Sequence, residues 1–324
     1  MKEQEHDSLG NRIKAYEYIS TSRQLMPNCP VYARIDDRAF HTLCKGLKKP
    51  YSMAFIDTMK EVCKYLVDKT GAILGYVQSD EISLGWESYS KAPFEGRIQK
   101  LESVLASMAS AKFVQYVESS KSGGLHINDG VNKLWDRCNM HLPSFDCRVF
   151  NVPNEIELAN CLLWRENDAI KNSISGMALN FYSHKELQNK NSDEKIHMMR
   201  MKGHCFYEGT DPAFMRGTFY HRENYLKPLS KEEVERIPES QRSNLVYESP
   251  DSLGESVIIG GDGSGSLLTL KPDTYYCWRS RIAPMVLPYR LTETADLDKV
   301  LFSGLAPECK IENPTFNLSK REEV

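Results

Sequence analysis

The sequence predicts an α+β fold: an antiparallel sheet of the ferredoxin-like, split βαβ type with helices on one face, followed by a helical and mixed C-terminal region. Three observations predict it. Over the N-terminal half of the 324 residues, β-prone and helix-periodic runs alternate in the order β-α-β-β-α-β. The two central strands are separated only by the polar segment Ser79-Asp80-Glu81, which reads as a hairpin with Asp80 near its tip. Each long helical run carries one apolar stripe, which suits a sheet covered from one side.

Leu9 to Tyr18 reads as a short helix, followed by a loop with Pro27 and Pro30 and a strand from Val31 to about Ile35. Tyr51 to Asp68 fits an amphipathic helix because Phe55, Met59, Val62, Cys63 and Leu66 recur at spacings of three and four. Ala72 to Val77 and Ile82 to Trp86 are the hairpin strands. Arg97 to Val117 gives a second long helix with Ile98, Leu101, Leu105 and Met108 on one side. A loop through Ser122-Gly123-Gly124 and Asn128-Asp129-Gly130 precedes a fourth strand, Phe145 to Val152, and a helix from Glu155 to about Phe181. Further on, His184 to Asn189, Asp193 to Met201 and Ser230 to Arg236 read as short helices, and Gly217 to His221 as a strand. Gly260 to Ser266 reads as a flexible turn or linker and Thr315 to Val324 as a frayed tail. The segmentation is residues 1–160 as a palm-like catalytic domain, 161–235 as a helical RNA- and nucleotide-binding extension, and 236–324 as an appendage of unknown role.

Lys and Arg total 41 against 44 Asp and Glu, a formal charge of -3, so any nucleic-acid contact must use local basic patches. The first residues contain no apolar leader core, and no run approaches the roughly 20 apolar residues of a membrane span; the expectation is a cytoplasmic protein with no membrane partner. Nine cysteines include no Cys-x-x-Cys pair, which argues against a zinc knuckle and a disulfide framework and for reduced, largely buried thiols.

Chemistry is expected where Arg34-Ile35-Asp36-Asp37-Arg38 and Gln78-Ser79-Asp80-Glu81 end their strands. The split βαβ order, shared by polymerase palms, puts Asp36 and Asp80 on neighbouring strands. Magnesium prefers carboxylate and carbonyl oxygens and binds through one or two carboxylates plus substrate phosphates. Two such ions can neutralise an attacking oxygen and a leaving pyrophosphate together. Asp37 and Glu81 would be adjacent oxygens. Arg38, Lys45, Lys48 and Lys49 follow the first strand, and Arg97 with Lys100 open the second long helix, so cations for a triphosphate are at hand. A solvated turn would also account for each acidic residue taken singly.

These residues resemble the tRNA-His guanylyltransferase family, and more closely its tRNA-repairing 3′-to-5′ polymerase relatives. The matching segments are Leu9-Gly10-Asn11-Arg12, Arg34 to His41, Lys49-Pro50, Gly75 to Ser83, Phe94 to Lys100, Phe145 to Val149, Trp164 to Ala169 and Phe214 to Thr218. They span residues 9 to 222. The resemblance implies a polymerase-like palm that activates an RNA 5′ phosphate, using ATP when it is a monophosphate, before the 3′ hydroxyl of a nucleoside triphosphate, GTP or another, attacks it. By position, Asp36 and Asp80 would bind two Mg²⁺ with the main-chain carbonyl of Asp37, and Glu81 would support that shell. Lys49, Arg97 and Lys100 would hold triphosphate, with Arg38 and Ser79 beside it, and Phe40 and His41 would contact the nucleotide. Arg165, Lys171, Asn172 and Arg216 would meet RNA. Family members are commonly homotetramers built as dimers of dimers.

Two departures separate the chain from the dedicated tRNA-His enzymes. Asp37 stands where the family has glycine. Ile170-Lys171-Asn172-Ser173 replaces the His-Ile-Asn-Asn of the guanylyltransferases, with only Asn172 in common. This favours template-directed 5′-end repair, with a dedicated tRNA-His guanylyltransferase and a palm-fold nucleotide cyclase as alternatives. A non-catalytic RNA-binding module is disfavoured because both carboxylates and several cations are present.

Overall fold

The structure, a computed structural model, describes residues 8–88, 91–122, 129–242, 245–248, 256–259, 266–269 and 274–285. In chain order the elements of the first half are α1 (Ser8–Thr21), β1 (Val31–Asp37), α2 (Phe40–Leu43), α3 (Met53–Thr70), β2 (Leu74–Gln78), β3 (Glu81–Trp86), a 3-10 turn (Pro93–Gly96), α4 (Ile98–Ser122), α5 (Asp129–Met140) and β4 (Phe145–Asn151). Then come α6 (Glu155–Ala178), α7 (Ser192–Met201), α8 (Phe206–Gly209), α9 (Pro212–Arg216), β5 (Thr218–Leu229), α10 (Lys231–Glu235), α11 (Glu239–Arg242), β6 (Val246–Glu248), β7 (Ser256–Ile259), β8 (Ser266–Thr269) and β9 (Thr274–Met285). The chain forms two compact units. One holds residues up to Arg222 with 282–286; the other holds 223–281 and 287–324. The helix α6, expected to open a separate extension at residue 161, lies within the first unit.

In the first unit the strands run antiparallel in the order β4-β1-β3-β2-β5. Its first four are the ferredoxin-like order the sequence predicts. Register decides which side chains share a face, because successive residues alternate. Ile35 lies opposite Ile82, and Val77 opposite Ile82 on the other side, so these three point to one face with Val31, Ala33 and Leu84. That face is fully buried under α3 and α4, whose Met59, Val62, Leu66, Leu101, Leu105 and Phe113 complete the core. Gly75 lets α3 come close: a Cβ there would stand 2.4 Å from Val67 and 2.9 Å from the Cys63 sulfur.

The opposite face carries Tyr32, Arg34, Asp36, Tyr76, Glu81 and Ser83, and α6 lies across part of it. The start of α6 is fixed by Asn154, whose side chain accepts from the Glu157 N–H at 2.9 Å. Leu158 then packs over Gly85 and Arg165 reaches Glu81. The helices expected on one face are therefore α3 and α4, and α6 supplies a second layer. Its later turns, Ile170, Ile174 and Met177, form a smaller core with Met199, Phe206 and Met215. In the second unit, β6 pairs with β9 and β7 with β8, both antiparallel.

Three local expectations are corrected. Asp129 and Gly130 are not loop but the first turn of α5, where an acidic residue suits the helix dipole and Asp129 pairs with Lys133 at 2.7 Å. His184 to Asn189 is a series of turns: Glu186 bonds the Ser183 N–H and hydroxyl, and Asn189 turns left-handed at φ 60° before Asn191 and Glu194 cap α7 reciprocally. The β5 strand runs well past His221. Cys29, Cys44, Cys63, Cys138, Cys147, Cys161 and Cys205 are free as expected, but of these only Cys63 and Cys138 are buried. The expected linker at 260–265 and tail at 315–324 lie outside the described residues.

Candidate active site

At one edge of the sheet, β1 ends at Asp37 and the two-residue turn Ser79-Asp80 joins Gln78 to Glu81. Ser79 takes a left-handed conformation, φ 48°, the backbone that two-residue hairpins favour. The turn brings Asp80 against Asp37. The Asp37 carboxylate accepts a short bond from the Phe40 N–H and lies within reach of Asp80. Burial, with the charges of Asp80 and Asp36 beside it, raises the Asp37 carboxyl to about 6. Asp37 was expected as an adjacent oxygen and through its main-chain carbonyl; its side chain is the closer companion of Asp80.

Asp36 looks the other way, onto the open sheet face. Its Oδ2 lies 3.5 Å from Arg148 and 4.0 Å from Arg34, while Oδ1 accepts from the Asp37 N–H at 3.1 Å. Asp37 and Asp80 are therefore the touching pair, whereas Asp36, expected to converge with Asp80, turns its carboxylate to the opposite face and is held there by Arg148 and Arg34 because successive strand residues alternate. Among the described residues no group of three or more His, Cys, Asp or Glu is placed so that it could hold a metal ion by itself. Two adjacent carboxylates suit a hard cation that completes its shell with phosphate and water. The residues present fit Mg²⁺ on those grounds.

Beside this edge lies a cleft of about 350 Å³. It is lined by His41, Lys48, Lys49, Ser79, Asp80 and Asn172, so five residues expected at nucleotide, metal or RNA come together there with a further lysine. The Lys49-Pro50 peptide is cis. Phe40 contributes to the lining but is 1% exposed, packed edge-on against Phe55, Phe113 and Phe145, so it is wall rather than a free stacking surface. Arg137 of α5 donates to the Thr42 carbonyl and ties α2 in place.

Sequence reasoning missed three lining residues. Tyr51 and Phe214 stack at 4.5 Å between centroids and give the cleft an aromatic wall. Thr218 is 1% exposed, and its hydroxyl has no protein partner. A buried unpaired hydroxyl costs about 1–3 kcal/mol, which a bound polar group would offset. Gly217 shapes this corner: its φ is 78°, and a Cβ would lie 2.5 Å from the Val77 carbonyl. Each had a signal: Tyr51 directly follows Lys49-Pro50, and Phe214 and Thr218 bound the last of the matching segments.

Several expected site residues are elsewhere. Glu81 does not reach toward metal: it is buried, bonded to Arg165 Nε at 2.6 Å with Arg34 at 3.8 Å, and burial raises its carboxyl even against those arginines. Arg165, expected at RNA, is a buried partner of Glu81 and of Asp168 at 3.1 Å. Arg216 is likewise held, forking onto Glu166 at 2.9 and 2.7 Å. Both arginines were expected at RNA because sequence does not reveal that they have buried carboxylate partners. Arg97 and Lys100 sit at the far end of the sheet: Arg97 bridges Gln24, and Lys100 lies 5.0 Å over the Phe94 ring. The reason is topological, since β3 leads away from Asp80 before α4 begins. Arg38 and Lys171 are exposed and outside the cleft lining.

Comparison with known proteins identifies relatives of the chain. The family model described as Thg1: tRNAHis guanylyltransferase matches residues 10–153. A bacterial tRNA(His) guanylyltransferase-like protein solved in complex with ATP is 35% identical, covering 66% of this chain and 88% of its own, with a TM-score of 0.56. A bacterial protein of the same description in complex with GTP is 32% identical, covering 68% and 86%, with a TM-score of 0.51. The tRNA(His) guanylyltransferase of Schizosaccharomyces pombe is 26% identical over 224 residues, 65% of this chain and 79% of its own. Among the described residues no helix is long and apolar enough to cross a membrane. The chain belongs to the tRNA-His guanylyltransferase family of nucleotidyltransferases.

Proposed function

We propose that this enzyme adds nucleotides in the 3′-to-5′ direction to the 5′ end of tRNA, as a Mg²⁺-dependent, template-directed repair activity in the cytoplasm. The observation that carries the reading is the shared cleft, in which Lys48, Lys49, Ser79 and Asp80 meet beside the Asp37 carboxylate. Bacterial relatives in complex with ATP and GTP make those triphosphates the substrates to test.

Each residue then has a task. Lys48 and Lys49 offset the triphosphate charge at the exposed mouth. Tyr51 and Phe214 give the nucleobase an apolar wall, and Thr218 and Asn172 offer polar contacts. Asp36, Asp37 and Asp80 would hold two Mg²⁺, which when bound polarise phosphoryl oxygens and offset charge on attacking and leaving oxygens. For a 5′ monophosphate, ATP first supplies AMP and pyrophosphate leaves. The nucleotide's 3′ hydroxyl then attacks the activated 5′ phosphorus, its proton is lost, and AMP departs. The cleft's part is to present that hydroxyl in line.

A dedicated tRNA-His guanylyltransferase is the second reading, favoured by the activity named for the fission yeast relative. A cyclase is disfavoured because α6 contributes Asn172 to the cleft, a contact an intramolecular reaction does not require. A homotetramer is proposed for the assembly, to be checked by light scattering. Incubating the protein with Mg²⁺, labelled triphosphates and 5′-truncated tRNAs tests the reading. Extension complementary to the opposing strand, on several tRNAs, supports repair. Addition of one G to tRNA-His alone supports the second reading, and cyclic nucleotide without RNA would overturn both.

A further inference from the structure

The sheet face that carries Asp36 is only partly covered by α6. Along β1 and β4 it displays three cross-strand rungs: Tyr32 opposite Phe150, Arg34 opposite Arg148, and Asp36 opposite Asp146. The face therefore runs from aromatic to basic to acidic, and its acidic end is the edge where Asp37 meets Asp80. The outer members are open. Phe150 is 42% exposed, and the Arg148 and Asp146 side chains are 51% and 56% exposed.

Two like charges directly opposite one another destabilise an antiparallel pair. Here two such rungs are adjacent, relieved by one diagonal contact, Asp36 to Arg148 at 3.5 Å, and by contacts along each strand, Asp146 to Arg148 at 3.4 Å and Asp36 to Arg34 at 4.0 Å, with Arg34 also 3.8 Å from Glu81. Pairs of this length at the exposed Arg148 hold little free energy, so an incoming phosphate can displace them. The aromatic rung is equally unexplained by folding. Phe150 lies 5.3 Å from Tyr32 yet turns an edge to solvent. Beside it, Trp164 on α6 is 53% exposed, its ring 5.7 Å from the Arg34 guanidinium and 4.4 Å from that of Arg165. Exposed aromatics interleaved with arginines on a sheet are how proteins hold unpaired RNA, bases on rings and phosphate on guanidinium.

We propose that this face is the bed for the unpaired 5′-terminal nucleotides of the RNA acceptor. Bases lie on Phe150 and Trp164, a backbone phosphate exchanges onto Arg34 and Arg148, and the 5′ end points along β1 to Asp36. The proposal rests on the 5′-end nucleotidyltransferase reading and adds to it the route by which RNA reaches the carboxylates.

The test measures binding and extension separately on the full chain. A 3′-labelled, 5′-truncated tRNA is titrated by fluorescence anisotropy at several salt concentrations, and triphosphate affinity is measured without RNA. Phe150→Leu and Trp164→Leu are each expected to weaken RNA binding about tenfold, with Phe150→Tyr and Trp164→Phe restoring it. Arg148→Ala should weaken binding and lower the slope of log affinity against log salt by about one. Triphosphate affinity should stay at the wild-type level in all of them. RNA binding unchanged in Phe150→Leu and Arg148→Ala, or absent from the wild-type protein, overturns the proposal. If the wild type extends RNA while the variants bind it normally, the function stands without this bed; if the variants bind weakly but the wild type extends nothing, the bed stands and the function falls.

Discussion

Asp80 and Glu81 are neighbours in the chain, and their carboxylates are handled in opposite ways. Glu81 is buried and answered at once by Arg165 at 2.6 Å, in a cluster that continues through Asp168 to Asn172. Asp80 is half-buried at a turn, faces the Asp37 carboxylate and opens onto a cleft with lysines at its mouth. One acidic group is neutralised inside the protein; the other is left for a ligand to neutralise. The same contrast separates Arg165 and Arg216, which are locked to Glu81 and Glu166, from Lys48 and Lys49, which are not buried. Locked charges fasten α6 to the sheet and α9 to α6, and unlocked ones define the site.

The contrast can be broken by experiment. The largest effect is expected for Arg165→Ala, which strands the Glu81 carboxylate under α6 and should cost about 3–5 kcal/mol in urea-induced unfolding. A loss near zero would mean that the pair does not hold the helix. Asp80→Asn should leave the unfolding midpoint in place while slowing nucleotide addition by about 10²–10³-fold, the size of losing one charge-stabilising contact. A parallel fall in stability would blur the distinction. Gly217→Ala forces a Cβ against the Val77 carbonyl and should destabilise by about 1–3 kcal/mol, consistent with strain at a positive φ. Lys49→Ala is expected to be the mildest, raising KM for the triphosphate about tenfold with kcat held, since an exposed ammonium contributes equally to ground and transition states.

Much of the fold was legible because alternation and helical periodicity are local. The strand order followed from the chain order, and the stripes of α3 and α4 from spacings of three and four. The start of α5 was hidden because Asn128-Asp129-Gly130 looks like a turn, although Leu134 and Cys138 were there to mark a buried face. In the site, the short loops on either side of the strands were readable: Lys49, Ser79 and Asp80 do meet. What sequence could not weigh was competition between partners. Glu81, Arg165 and Arg216 have the chemistry of ligands, and only the packing of α6 shows that they spend it on each other. Arg97 and Lys100 carried the right charge at the wrong end of the sheet, a matter of strand direction rather than composition.

The central claim is that Asp37 and Asp80, left without cationic partners of their own, join a divalent cation in holding a triphosphate in the cleft. Equilibrium binding of a non-hydrolysable GTP analogue, with and without Mg²⁺, tests it most directly in the wild type and in Asp80→Asn. The account predicts that Mg²⁺ tightens binding at least tenfold in the wild type and that Asp80→Asn abolishes this gain while metal-free affinity changes little. Equal affinity with and without the metal in the wild type, or an undiminished gain in the variant, would contradict it.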